Sequence, residues 1–192
     1  MADATKPRGP MEMRFSGSGG QGILLAAAII AEAATAQGKQ VVSTQSYGPA
    51  ARGGASKAEV IVSDEEIDYP EVDAPMLNLC LSQAAYSKYA ADTRPGGLLL
   101  YDSGLVEPDD TVAGCELCGL PFTQASQDEL GKKVVANIVA VGALVEVSAV
   151  LPADAVEQAV INRVPERFRE LNTEAFRLGR RLAAEARDGT QS

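Results

Sequence analysis

The sequence contains no histidine. That absence removes imidazole general bases, Ser-His triads, HExxH zinc sites and histidine metal ligation together. Cysteine is nearly as scarce, with Cys80, Cys115 and Cys118 as the full set. Three thiols supply neither the four ligands of an iron-sulfur cluster nor an all-cysteine zinc site, and an odd, sparse count does not suggest a disulfide framework. Positive charge is also short. Seventeen Lys and Arg stand against 26 Asp and Glu, a net charge of -9, so the chain repels phosphate backbones and anionic lipid and is expected to bind neither nucleic acid nor membrane. Long hydrophobic runs are missing as well: Ile23 to Ala36 is too short to cross a bilayer and contains Glu32, while Val134 to Leu151 carries Asn137, Glu146 and Ser148. The polar stretch Met1 to Pro10 lacks the apolar segment of a secretory signal, so a reducing, cytoplasmic setting is expected.

What is present is the composition of a folded protein. With 192 residues, 46% apolar and 22% charged, the chain is expected to form one domain over residues 11–187, between an N-terminal tail (1–10) and a C-terminal tail (188–192). Met11 to Ser16 reads as a strand, Gly17 to Gly22 as a glycine turn, Ile23 to Gln37 as a helix and Gln40 to Ser46 as a second strand, together a βαβ unit. Further strands are expected at Ser56 to Ser63, Met76 to Leu81 and Leu98 to Tyr101, with a weaker one at Thr111 to Leu117. Helices are expected at Gln83 to Ala91, over one unbroken apolar stretch from Gln127 to Val150, and at Glu166 to Ala186, with Pro152 and Pro165 marking helix starts. The pattern predicts an α/β fold: a single Rossmann-like domain with a largely parallel sheet and helices on both faces, its ligands collecting at the carboxyl ends of the strands.

Gly17, Gly19 and Gly22 satisfy GxGxxG between a strand and a helix, the context in which backbone N-H groups and a helix N-terminus can approach an anion. The same glycines would also serve close helix-strand packing alone. Two signatures are missing. The second strand ends in Thr44-Gln45-Ser46 where a dinucleotide fold has an acidic residue for the ribose, and no Gly-Lys-Ser/Thr follows to make a Walker A loop. The loop Tyr47 to Gly54 sets Arg52 among small residues; a doubly wound sheet would bring it to the edge holding the glycine turn, as a second phosphate contact. Cys115-Glu116-Leu117-Cys118 has CxxC spacing, read first as two small residues at a strand end. Asn137 reads as a core hydrogen-bonder, and the acidic run Asp64 to Asp68 as a solvated surface.

Three stretches gain specificity when taken together: FSGSGGQGI (Phe15 to Ile23), TQSYGPAARGGAS (Thr44 to Ser56) and EVIVSDEEIDYP (Glu59 to Pro70). Their order and spacing resemble the gamma subunit of 2-oxoacid:ferredoxin oxidoreductases, most closely the 2-oxoglutarate branch, over about Met11 to Ala186. The resemblance implies a small subunit of a complex that decarboxylates a 2-oxoacid on thiamine diphosphate, passes the acyl group to coenzyme A and sends electrons through iron-sulfur clusters to ferredoxin. It implies alpha and beta subunits as partners, together with a ferredoxin-like delta subunit. Thiamine diphosphate, Mg2+ and the clusters then belong to those other subunits, this chain binds no cofactor by itself, and the isolated chain is expected to be inactive. The expected coenzyme A set is Gly17, Ser18, Gly19, Gly20, Gln21 and Gly22 from the turn, with Thr44, Ser46, Tyr47, Arg52 and Gly53 from the following loop; no catalytic or metal-binding residue is expected. A free-standing NAD-binding dehydrogenase and a purely structural scaffold subunit are the competing readings of the same residues.

Overall fold

A computed structural model describes residues 9–46, 54–110 and 112–189. Six strands form one sheet: β1 Met11–Ser18, β2 Gln40–Ser46, β3 Ala55–Ser63, β4 Leu77–Cys80, β5 Leu98–Asp102 and β6 Glu116–Leu120, in the order β2-β3-β1-β4-β5-β6. The ladders β1-β4, β4-β5 and β5-β6 are parallel. β3 runs antiparallel to both β1 and β2. The expected βαβ wind is therefore interrupted: β2 points the same way as β1, but β3 lies between them. Burial explains the order. β3 is buried from Ala58 to Ser63, whereas β2 has no buried residue, so the more apolar strand takes the interior and the more polar one the edge.

Six α-helices complete the fold among the described residues: α1 Ile23–Ala36, α2 Gln83–Tyr89, α3 Phe122–Leu130, α4 Ala136–Ser148, α5 Ala153–Arg163 and α6 Arg169–Gly189. The main core joins Met13, Phe15, Val60, Leu79 and Leu100 of the sheet to α1 and α4; α5 packs on α1 and α6 on α4. The other sheet face carries a smaller cluster of Cys80, Tyr86, Ala90, Leu99 and Val106 around α2. That face also buries charge. Arg14, 2% exposed, donates to Glu59 at 2.7 Å, to Asp92 and to the Val72 carbonyl at 2.8 Å. Among the described residues no buried side-chain nitrogen or oxygen lacks a partner, as a low-dielectric interior requires.

Three expected elements come out differently. The stretch from Gln127 to Val150 is not one helix: Gly131 caps α3, a 3-10 turn spans Lys133–Val135, and α4 starts at Ala136. α4 itself is buried continuously from Ala136 to Val145. α6 covers it so closely that a Cβ on Gly142 would overlap the Phe176 carbonyl oxygen, and one on Gly179 the Val139 carbonyl oxygen. The last strand begins at Glu116 rather than Thr111, a residue outside those described. Pairing decides its place: Leu98 to Asp102 are opposite Glu116 to Leu120, and Gly119 leaves room for the ring of Tyr101 beside it. α6 also continues to Gly189, past the expected helix end at Ala186.

Candidate functional site

β1 ends at Ser18, and α1 begins at Ile23 after a turn in which Gly20 has φ +87° and Gly22 φ +71°. These left-handed values need glycine. Gly22 is also the N-cap of α1, with no side chain capping the helix, so first-turn N-H groups remain available to an external acceptor. The glycines divide into two kinds. A Cβ on Gly17 would lie 2.7 Å from the Gln21 Oε1, and one on Gly22 would overlap the Asn137 carboxamide. Around Gly19 and Gly20 a Cβ would meet nothing within 4 Å. The outer glycines serve packing, and the inner pair faces open space.

That space adjoins a cavity of about 220 Å3 lined by Gly20, Gln21, Leu81, Leu105, Thr123 and Lys133, with Val134, Ala136 and Asn137 completing it. Its walls come from the residues following β1, β4 and β5 and from the starts of α3 and α4, at the carboxyl edge where parallel sheets collect ligands. Thr123 is set by buried Asp102, whose Oδ2 accepts from its N-H at 3.0 Å and its hydroxyl at 2.5 Å. Asp102 thus caps α3 from a neighbouring strand, because Pro121 cannot. Lys133 adds positive charge, and Leu105 and Val134, 44% and 75% exposed, form an apolar lip.

The expected residues are only partly brought together. Gly17 and Ser18 end β1, and Gly19 to Gly22 form the turn before α1. Thr44 lies on β2 with its hydroxyl directed to Glu59 Oε2 at 3.5 Å, and Ser46 pairs with Lys57; β3 keeps both two strand spacings, roughly 10 Å, from β1. Tyr47, Arg52 and Gly53 lie outside the described residues. Ser46, the last residue of β2, and Ala55, the first of β3 and the partner of Ser18, stand at the same end of the sheet as the glycine turn.

Sequence reasoning missed Lys133 and the Arg14-Glu59 pair. Gly131-Lys132-Lys133 within the apolar run was the available sign of a break. No local sign marked Arg14, because its partners Glu59 and Asp92 are distant in sequence. The pair belongs to a larger cluster: Lys57 Nζ reaches Glu59 at 2.8 Å, and Lys88, Arg14 and Lys57 stand 4.9, 5.5 and 6.0 Å from the centre of the Tyr89 ring.

The CxxC spacing does not make a dithiol. Cys115, in the bend just before β6, packs with the Tyr86 cluster, and Cys118, on β6, with the main core on the opposite sheet face. Burial raises both thiols above their ordinary range and pushes the Cys80 thiol up to about 11. No group of three His, Cys, Asp or Glu side chains suited to a metal ion occurs among the described residues. None of their helices is long and apolar enough to cross a membrane.

Known proteins agree with this architecture. The chain is 44% identical over 176 residues to the 2-oxoglutarate synthase subunit KorC of Methanocaldococcus jannaschii, covering 91% of this chain and 94% of that protein. A keto/oxoacid ferredoxin oxidoreductase gamma subunit from Geobacter sulfurreducens has a TM-score of 0.81 and 46% identity over 93% of this chain and 98% of its own. The 2-oxoglutarate:ferredoxin oxidoreductase of Magnetococcus marinus, solved with 2-oxoglutarate, coenzyme A and succinyl-CoA bound, has a TM-score of 0.84 and 25% identity; the match covers 93% of this chain and 32% of that one. The family described as pyruvate ferredoxin/flavodoxin oxidoreductase matches residues 12–182, and the chain, with its mostly parallel sheet and glycine turn, belongs to that family.

Proposed function

We propose that this chain is the gamma subunit of a 2-oxoacid:ferredoxin oxidoreductase, with 2-oxoglutarate as the 2-oxoacid. The complex converts the 2-oxoacid and coenzyme A to carbon dioxide and the acyl-CoA, and two electrons pass to ferredoxin. This subunit presents the glycine turn to the phosphates of coenzyme A and docks with alpha and beta subunits and with a ferredoxin-like delta subunit. Thiamine diphosphate with its Mg2+ and the iron-sulfur clusters belong to those partners. The thiols here do not fit a cluster, since Cys80 is buried and Cys115 and Cys118 occupy opposite faces.

One observation carries the coenzyme assignment: the inner glycines face open space beside a cavity that also holds Lys133. Phosphate oxygens accept from backbone N-H groups at such a turn, and a nearby ammonium offsets their charge. NAD binding is disfavoured because the neighbour of β1 is the antiparallel β3, and β2, at the sheet edge, ends without an acidic residue.

Gly19→Val in the assembled complex tests the reading. Gly20 is a poorer choice, because its positive φ strains any side chain. A charge-assisted hydrogen bond is worth about 1.5–3 kcal/mol, so the KM for coenzyme A should rise about ten- to a hundredfold. Wild-type coenzyme A kinetics in a fully assembled Gly19→Val complex would refute the assignment and favour a scaffold.

A further inference from the structure

The glycine turn carries only one long side chain, that of Gln21, so its shape depends on what grips the backbone. Two carboxamides do so. Gln21 Oε1 accepts from the Ser18 N-H at 2.6 Å, and its Nε2 donates to the Leu81 carbonyl at 2.6 Å. One side chain thereby ties the end of β1 to the residue after β4. Asn137, 4% exposed in the first turn of α4, donates from Nδ2 to the Gly22 carbonyl at 3.1 Å. Each amide occupies the place where an outer glycine has no side chain: Gln21 beside Gly17, and Asn137 beside Gly22.

We propose that Gln21 and Asn137 are positioning residues, two amide clamps that hold the Gly19-Gly20 backbone open toward the cavity without themselves binding the anion. Gln21 spends both ends of its carboxamide on backbone groups, and Asn137 spends its N-H on Gly22. The motif then divides its work, the outer glycines admitting the clamps and the inner ones admitting the ligand. The clamps also couple three elements, because the turn is fixed from β4 and from α4 at once. This inference rests on the reading that the turn receives the phosphates of coenzyme A.

The test uses the intact complex with coenzyme A as the probe. Gln21→Met keeps the side-chain volume and removes both hydrogen bonds; Asn137→Ala removes the second clamp without overlap and serves if the first variant folds poorly. Each is expected to raise the KM for coenzyme A about tenfold, with kcat at saturating coenzyme A within twofold of wild type. Combined with Gly19→Val, Gln21→Met should add little, because a clamp acting only through the turn loses its effect once the turn is blocked. An unchanged KM in both clamp variants, a fall in kcat at unchanged KM, or full additivity with Gly19→Val overturns the positioning role. Failure of the coenzyme reading is separate: there, Gly19→Val alone leaves the KM unaltered.

Discussion

Replacing Gly179 by alanine sets two opposed effects against each other on one methyl group. In a helix interior alanine is favoured over glycine by about 1 kcal/mol, so propensity alone predicts that α6 gains. Packing predicts the reverse. The new Cβ would overlap the Val139 carbonyl oxygen and lie 2.7 Å from the Val139 carbonyl carbon and 2.9 Å from the Ala143 nitrogen. All three are backbone atoms of α4, so no side chain can turn away, and the helices must separate. Separation loosens contacts along a face that includes buried Phe176, Leu144 and Ala175, where even a gap of about 0.5–1 Å forfeits a quarter to a half of each dispersion contact. Overpacking of this kind costs about 3 kcal/mol or more, the upper part of its usual range, leaving a net loss of about 2 kcal/mol. For a domain of this size that lowers Tm by about 4–8 °C. Thermal unfolding followed by circular dichroism at 222 nm measures it, and the reciprocal Gly142→Ala should act in the same direction. A Tm equal to or above wild type would show that propensity wins and that α4 and α6 do not approach as described.

The charged cluster on the other sheet face gives a second expectation. Glu59→Ala leaves Arg14 with Asp92, the Val72 carbonyl and the Tyr89 ring and should destabilise by about 3 kcal/mol, whereas Arg14→Met with Glu59→Leu should recover most of that loss; in chemical denaturation, additive losses would contradict the coupling. The thiols give a third. Burial raises the Cys80 pKa from 9.0 to about 11, so its neutral form is favoured in the folded chain; the associated stability is complete below pH 9 and is lost as pH rises through about 11. Unfolding free energy measured from pH 8 upward should fall less steeply in Cys80→Ala than in wild type, and in the native chain Cys80 should be the slowest of the three thiols toward a disulfide reagent.

The local signals in the sequence determined most elements of the fold. Gly38 closes α1, Pro152 and Pro165 stand before new helices, and the strand residues of β1 to β5 differ from their expected bounds by no more than two positions. Such features depend on a few neighbouring residues and on backbone preferences that act without tertiary partners. The glycine turn was legible for the same reason: its context, strand before and helix after, is contiguous. The missing acidic residue after β2 was legible too, since it required only reading the end of a strand.

Other features depended on competition between segments distant in sequence. Which strand sits beside β1 is decided by burial, and β3 takes that place because its residues from Ala58 to Ser63 are covered on both faces. That choice directs Thr44 to Glu59 instead of toward the turn. Gly131-Lys132-Lys133 breaks an otherwise helical run, and the fold brings the resulting Lys133 to the cavity beside Gly20. Cys115 and Cys118 match a dithiol motif only on paper, because the bend before β6 packs Cys115 against the Tyr86 cluster while β6 turns Cys118 into the main core. The division between the glycines was equally invisible in the pattern GxGxxG: Gly22 admits Asn137 from 115 residues away, Gly17 admits Gln21, and only three-dimensional packing distinguishes them from the open Gly19 and Gly20.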